Sequence, residues 1–509
     1  MIRILSFAFA MFAASLAAAP PRSPTAATNA LAEIERESRF YALETFPVPE
    51  GLKLEPSGLA SLPDGRLAIA IRKGEIWILD KPAGEKPSLA NIKYTRFASG
   101  LHEPLGLAWH SGALYTAQRS EVTRLRDTNG DDVADEYLAA AKGWGVSGNY
   151  HDYAYGPVFD PKGNLWVTLN CTIGKAPRGP GFNEKSFPWR GWSMTKPPGA
   201  PLRPVSAGLR SPSGLGTNHR GDVFATDQQG NWWGTNALLH LRSGVFHGHA
   251  DSLVDCSRPE SPVTHPGELP QGITTAQAIG KIPGYAPPAV WFPYNKVGAS
   301  PCGFSCNVTA NKFGPFENQL FVGEFTYASV NRVFLEKIDG EYQGACFRFR
   351  SGMKSAVFRT HFLPDGSLIL GETNRGWNSL GTRSYALQRL RWTGQVPFEM
   401  KTIEAQPDDF RVTFTGPIDP ATAAASASWS LSSHTYKYQR AYGSPEVETK
   451  PVPLRKITLA ADNLSARLHC TGLRPGFVHE IHADGIRSAA GEPLLHPEGY
   501  YTLNRIPGE

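Results

Sequence analysis

In NYHDYAYG, residues 149 to 156, one histidine, His151, stands in a polar, aromatic-rich entry to the strand-like run Leu165 to Leu169. A neutral imidazole titrates near pH 7 and can take a proton from a hydroxyl, although a loop histidine that merely feeds a strand needs no such duty. Arg210, in AGLRSPSGL, carries a planar fork suited to a carboxylate or a quinone oxygen; the plainer reading is a salt bridge between neighbouring sheets. Asp227, Asn374 and Arg375 leave strands in the same way and are candidates to hold a cofactor. Trp232, Trp233 and Trp377 do likewise, with rings that suit either sugar stacking or core packing.

The segment RDTNGDDVADEY spaces Asp127, Asn129, Asp131 and Asp135 so that alternate hard oxygens face one point, as calcium requires. It departs from the EF-hand loop, since Asp132 takes the glycine position and Leu138 the place of the bidentate glutamate. A solvated acidic hairpin tip is the plainer alternative. His240, His247 and His249 gather in HLRSGVFHGHADSL, but a metal reading there lacks the spacing of a known zinc motif. No Gly-x-Ser-x-Gly elbow, phosphate-cradling glycine loop or CxxCH haem site occurs, which disfavours serine hydrolases, nucleotide enzymes and c-type cytochromes.

The elements that must position these residues repeat along the chain. Second strands of a recurring strand–turn–strand unit start near Leu67, Leu114, Leu165, Val223, Leu320 and Leu368, at intervals of 47, 51, 58, 97 and 48 residues. Repeats of about 40 to 50 residues match propeller blades, whose closed ring leaves few exposed strand edges. The pattern predicts an all-β, six-bladed β-propeller over residues 45–395. The wide interval holds SRPESPVTHPGELPQGITT, a loop insertion or a degenerate seventh blade. From 396 to 509 shorter alternating runs predict a separate small Ig-like β-sandwich. Residues 20–44 read as a linker with one short helix.

Residues 1–19 place Arg3 before an apolar run and small residues, the pattern of a secretory signal peptide, so a periplasmic or extracellular location is expected. No later apolar run approaches the ~20 residues of a membrane span. A net charge of +5 over 509 residues, without a basic block, argues against nucleic acid as a partner. Cys171, Cys256, Cys302, Cys306, Cys346 and Cys470 would enter an oxidising compartment, where disulfides persist; Cys302 and Cys306 are candidates to close a small loop. Six cysteines allow 15 pairings.

With GLRSPSGL and the His151 segment in view, the chain resembles the glucose/sorbosone dehydrogenase propellers, which include soluble quinoprotein sugar dehydrogenases. It is similar, over nearly all its length, to large exported bacterial relatives labelled membrane-bound dehydrogenases, through DTNGDDVADEY, TDQQGNWWGTNALLHL, NRGWNSLG and FVHEIHADGIRSAAGEPLLHPEGYYTLN. The resemblance implies that His151 abstracts the proton of a sugar hydroxyl while hydride passes to pyrroloquinoline quinone, and that Arg210 polarises the acceptor. Two positions depart from that pattern: Ser211 stands where the family has asparagine, and His151 lies about one residue farther from the blade turn. The implied function is sugar or polyol oxidation with an external electron acceptor; calcium, read from the Asp127 loop itself, is expected in a mainly structural role. The alternatives are a non-catalytic glycan-binding propeller and a calcium-assisted lactonase or lyase with Asp227 and Glu324 around an axial metal.

Overall fold

The computed structural model describes residues 24–173 and 187–508. The expected signal peptide lies outside the described residues. None of the described helices is long and apolar enough to cross a membrane.

The fold is all-β, built largely from four-stranded antiparallel sheets arranged as in a propeller. The first sheet runs Pro56–Ser61, Leu67–Ile71, Glu75–Leu79 and Tyr94–Ala98; the second starts at Ala108–His110 and the third at Ala154–Phe159. The fourth, fifth and sixth start at Gly214–Thr217, Pro301–Cys306 and Val357–Phe362. Each of these first strands touches the next in order, and Val357–Phe362 touches Pro56–Ser61 again, so the ring closes. The second strands begin at Leu67, Ala113, Leu165, Val223, Leu320 and Leu368, within one residue of the repeat read from the sequence.

A glycine in or beside the first strand lets these strands approach backbone to backbone. A Cβ at Gly58 would stand 2.5 Å from the carbonyl carbon of Gly106, and one at Gly303 would stand 2.9 Å from the carbonyl oxygen of Phe358. Gly156 and Gly214 occupy the same place in their sheets, whereas the sixth sheet has Phe358 followed by Arg359. Arg359 reaches across the axis, donating from Nε to the Ser57 carbonyl at 2.9 Å and from Nη2 to the Leu105 carbonyl at 3.2 Å.

Three features add to or depart from the sequence reading. The sixth sheet is closed by an N-terminal strand, Tyr41–Thr45, which pairs with Tyr385–Trp392 and so begins inside the expected linker. The extra chain of the fourth sheet runs between its third strand, Asn236–His240, and its fourth, Val290–Phe292; its described residues form two short helices and one two-residue strand rather than a further blade. The C-terminal region is not separate. Tyr500–Thr502 pair with Gly344–Cys346, so one eight-stranded sheet runs from the fifth ring sheet into the C-terminal domain. There it shares a core, including Met400, Phe410, Leu468, Ile481 and Tyr501, with a four-stranded sheet that starts at Met400–Ala405.

The six cysteines all lie among the described residues, and none of them is paired there. Cys302 and Cys306 lie on one strand, and four residues of extended chain span about 13 Å, beyond the ~7 Å Cα limit for a disulfide.

Candidate functional site at the mouth of the ring

The loops that precede the first strands and those that follow the second strands meet at one end of the ring. Their geometry is set by a repeated side-chain anchor. At the end of the second strand, Asp227 accepts the amides of Arg210, Ser211 and Gln228, at 2.7, 2.7 and 2.8 Å. Glu324 accepts those of Ala299 at 2.9 Å, Ser300 at 2.6 Å and Tyr327. Glu372 accepts that of Ser355 at 2.7 Å, and in the second sheet Gln118 accepts that of His102. These acceptors tie each entering loop to its own sheet and satisfy amides that burial would leave unpaired.

Asp227 and Glu324 thus each have a structural duty as loop anchors, and they are not among the groups of three metal-capable side chains found in the described residues. Burial pushes Asp227 up to about 6 and Glu324 up to about 7, against the lowering effect of those amides. Trp232 and Trp233 are packed in the core, which leaves Trp377 as the exposed tryptophan of the three.

His151 and Arg210 are brought together. The His151 loop is curled by Asn149, whose Oδ1 accepts the His151 amide at 2.8 Å, and by Asp152, which accepts the Ser147 amide and hydroxyl at 2.7 and 2.6 Å. The half-buried His151 ring has no hydrogen-bond partner among the described residues. Burial, then the Arg210 charge, hold it below the usual histidine range, with Arg119 adding to the effect and Asp152 opposing it. It is therefore neutral at neutral pH, as a base must be.

Arg210 is 7% exposed, yet its guanidinium has no hydrogen bond or ion pair among the described residues, and its buried Nε is unpartnered. It lies against Gly230, where a Cβ would collide with it, and its Cζ sits 5.4 Å from the ring centre of Tyr442.

Sequence reasoning missed the floor beside this pair. Arg72 donates to Glu103 at 3.1 Å, to the Tyr150 hydroxyl at 2.9 Å, to the Tyr153 hydroxyl and to the Arg375 carbonyl at 3.3 Å. Arg119 also binds Glu103, and donates to the carbonyls of Asn149 and Tyr150. Burial would raise the Tyr150 phenol, but its Tyr153 hydrogen bond and Arg72 hold it below the usual tyrosine range. Arg72 and Arg119 directly follow equivalent second-strand positions, so lining up the repeats exposes them. Arg375 pairs with Glu55 at 2.7 Å, and the turn from Asn374 to Gly376 lies against Arg72 and Tyr150.

The other candidates lie elsewhere. In the Asp127 loop, Asp127 accepts the amides of Asn129, Gly130 and Asp132, Asn129 that of Asp131, and Asp131 that of Val133. Asp135 accepts from Thr128. The clusters of three metal-capable side chains among the described residues are in other places: Glu33, Glu37 and His496; Asp408, Asp409 and His469; His434, Glu446 and Glu480. His240 stacks on Phe224, while His247 and His249 are buried, so the three histidines form no such cluster. A cavity of ≈ 600 Å³ lies on the ring axis, lined by residues such as Leu59, Leu107, Leu215, Phe304 and Thr360, at the far ends of the first strands. His151 and Arg210 do not line it.

The family model described as "Domain of unknown function (DUF7133)" matches residues 92–349, just over half of the 509. The chain belongs to this family. That match spans His151, Arg210, Asp227 and the Asp127 loop, while the C-terminal domain lies beyond it. No curated protein matches the chain. Similar solved structures include the PQQ-bound aldose sugar dehydrogenase of Streptomyces coelicolor, 17% identical with a TM-score of 0.45, covering 69% of this chain and 98% of that one. The soluble aldose sugar dehydrogenase of Escherichia coli is 15% identical, with a TM-score of 0.45 and coverage of 69% and 99%. The PQQ domain of the Coprinopsis cinerea pyranose dehydrogenase is 11% identical, with a TM-score of 0.47 and coverage of 69% and 95%.

Proposed function

We propose that the mouth is the site of an exported sugar or polyol oxidoreductase, on a six-bladed propeller followed by an Ig-like sandwich, working outside the cytoplasm. One observation carries the reading: among the described residues, a half-buried imidazole without a hydrogen-bond partner and a buried guanidinium without a hydrogen bond or ion pair share one mouth.

In this reading, His151 accepts the proton of the hydroxyl whose carbon is oxidised. Its lowered pKa keeps it unprotonated at neutral pH, so it waits in the reactive form. Arg210 holds its donors toward a ligand oxygen, where a low-dielectric setting strengthens each charge-assisted bond. Asp227 positions Arg210 through the backbone. Tyr150, fixed by Arg72, supplies a polar edge and an exposed ring face at the rim.

The mouth fits a planar anionic group, because exposed aromatic rings at Tyr150 and Trp377 stand beside the Arg72 and Arg375 guanidinium groups. Pyrroloquinoline quinone, when bound, supplies a two-electron acceptor, and Asn374 and Arg375 would hold it, which leaves the Arg210 fork to the substrate; an external acceptor would then take the electrons. Calcium belongs to the same reading. Asp127, Asn129, Asp131 and Asp135 offer it hard oxygens on a turn already curled by its own amide bonds.

The test is quinone titration of the full chain in calcium, followed by dye reduction with a sugar panel, for the wild type and His151→Ala. Saturable quinone binding with sugar-dependent reduction lost in the variant supports the proposal; absence of quinone binding would sink it. Melting in calcium against chelator tests the loop: the wild type gains stability and Asp127→Ala does not.

A further inference from the structure

The C-terminal domain reaches the mouth. Its segment 436–444 lies along the loop 229–235 of the fourth sheet: the Trp232 amide donates to the Gln439 carbonyl at 2.9 Å, that of Gly443 to Gly230 at 2.9 Å, and that of Ser444 to Gly234 at 2.9 Å. Asn231 Nδ2 donates to the Arg440 carbonyl at 2.8 Å, and Asn231 and Tyr442 form a β-bridge. A run of this kind fixes the loop by its backbone and frees the side chains. Tyr442 is 62% exposed. The Arg210 guanidinium lies 5.4 Å from its ring centre.

Charge at the mouth identifies what the pair would take. Among the described residues, Arg72, Arg119, Arg210 and Arg375 are four guanidinium groups with two carboxylate partners, since Glu103 serves both Arg72 and Arg119 and Glu55 serves Arg375. Arg210 is the member left without a partner, although it is more than nine-tenths buried. Asp227, which feels its charge, is committed to three amides. A buried cation without a partner is costly, and a ligand anion that supplies two oxygens in the plane of the fork relieves that cost. A neutral hydroxyl does not. The ring of Tyr442 adds a flat wall that orients the guanidinium and stacks on a sugar face.

We propose that Tyr442 and Arg210 form a subsite for the carboxylate of an acidic sugar, a hexuronate or its oligomer, so that the C-terminal domain completes the mouth and selects the substrate class. This rests on the reading of the mouth as a sugar site and names its substrate.

The test is calorimetric titration of the full chain with galacturonate and with galactose, for the wild type, Tyr442→Ala and Tyr442→Phe, at low and high salt. Tyr442 is exposed, so the variants fold, and their melting temperatures check this. Galacturonate binds the wild type tighter than galactose by about 10-fold or more, and the gap narrows as salt screens the charge. Tyr442→Ala closes most of the gap, whereas Tyr442→Phe keeps it, because the ring face rather than the hydroxyl does the work. Equal affinity for the two sugars, or a gap unchanged in Tyr442→Ala, overturns the proposal while leaving a sugar site at the mouth intact. Binding of neither sugar overturns both.

Discussion

Raising the pH from 6 to 10 should weaken the attachment of the N-terminal helix to the C-terminal domain, through one buried histidine. His496 places Nδ1 2.8 Å from Glu399 and Nε2 3.0 Å from Glu37, with Glu33 at 3.9 Å. Both ring nitrogens thus face carboxylates and both carry protons. Arg350 and the Ser351 amide face Glu37 from the fifth sheet, and Arg332 lies 3.9 Å from Glu399. The ring is 3% exposed; burial alone would lower its pKa, but Glu399 and Glu37 raise it to about 10. A folded-state pKa above the unfolded value of ~6.5 means that the stabilisation is complete below pH 6.5 and is lost as the pH climbs to about 10. At ~1.4 kcal/mol per pKa unit, this is on the order of 5 kcal/mol. Urea unfolding of the wild type and His496→Gln across pH 6 to 10 reads it directly, because the neutral amide cannot titrate and other groups cancel in the difference. The stability gap between the two should shrink by several kcal/mol over that range. A gap that stays constant with pH would refute the argument that His496 is held as a cation.

Three further predictions concern the ring and its mouth. Gly58→Ala sets a methyl 2.5 Å from one backbone atom and 2.7 Å from another, neither of which can give way, so thermal or urea unfolding should show a loss of about 3 kcal/mol; an unchanged midpoint would mean that the first strands are not so close. Asp227→Asn turns an amide donor toward a backbone donor and should lose roughly 1–3 kcal/mol by the same assay, with weaker ligand binding because Arg210 loses its anchor. In the turnover assay, activity should rise with pH through a value below 6.5 and hold above it, since the lowered His151 must be unprotonated to act; an acid limb centred above 6.5 would remove His151 from the role of base.

The ring was legible because its repeat is local. Each unit carries an apolar strand, a turn with glycine or asparagine and a second strand, and that spacing alone located the second strands within a residue. What closes the ring is not local. Tyr41 meets Trp392 across the whole chain, and nothing in the short run of residues 41 to 45 names its partner. The pairing of Tyr501 with Ala345 is hidden for the same reason, because a strand edge accepts any extended segment that packs beside it. At the mouth, the sequence singled out His151, Arg210 and Asp227 alike, but not the three backbone amides that Asp227 accepts. A carboxylate at a strand end looks alike whether it faces solvent or backbone amides, and only the repeat of that position in Gln118, Glu324 and Glu372 distinguishes an anchor from a site residue.

The fusion of the C-terminal domain to the fifth sheet bears on the mouth as well as on stability. Backbone pairing at Gly344–Cys346 fixes that domain beside the ring, and Lys296, which sits between Glu446 and Glu480, adds a second tie between the two. A loop held at both ends in this way does not need to close on a ligand, because segment 436–444 is already aligned with residues 229–235. Tyr442 therefore reaches Arg210 by construction rather than by motion. An arginine whose position is fixed by Asp227 below and an aromatic ring above pays little conformational entropy on meeting an anion, which is how a single guanidinium can select a ligand.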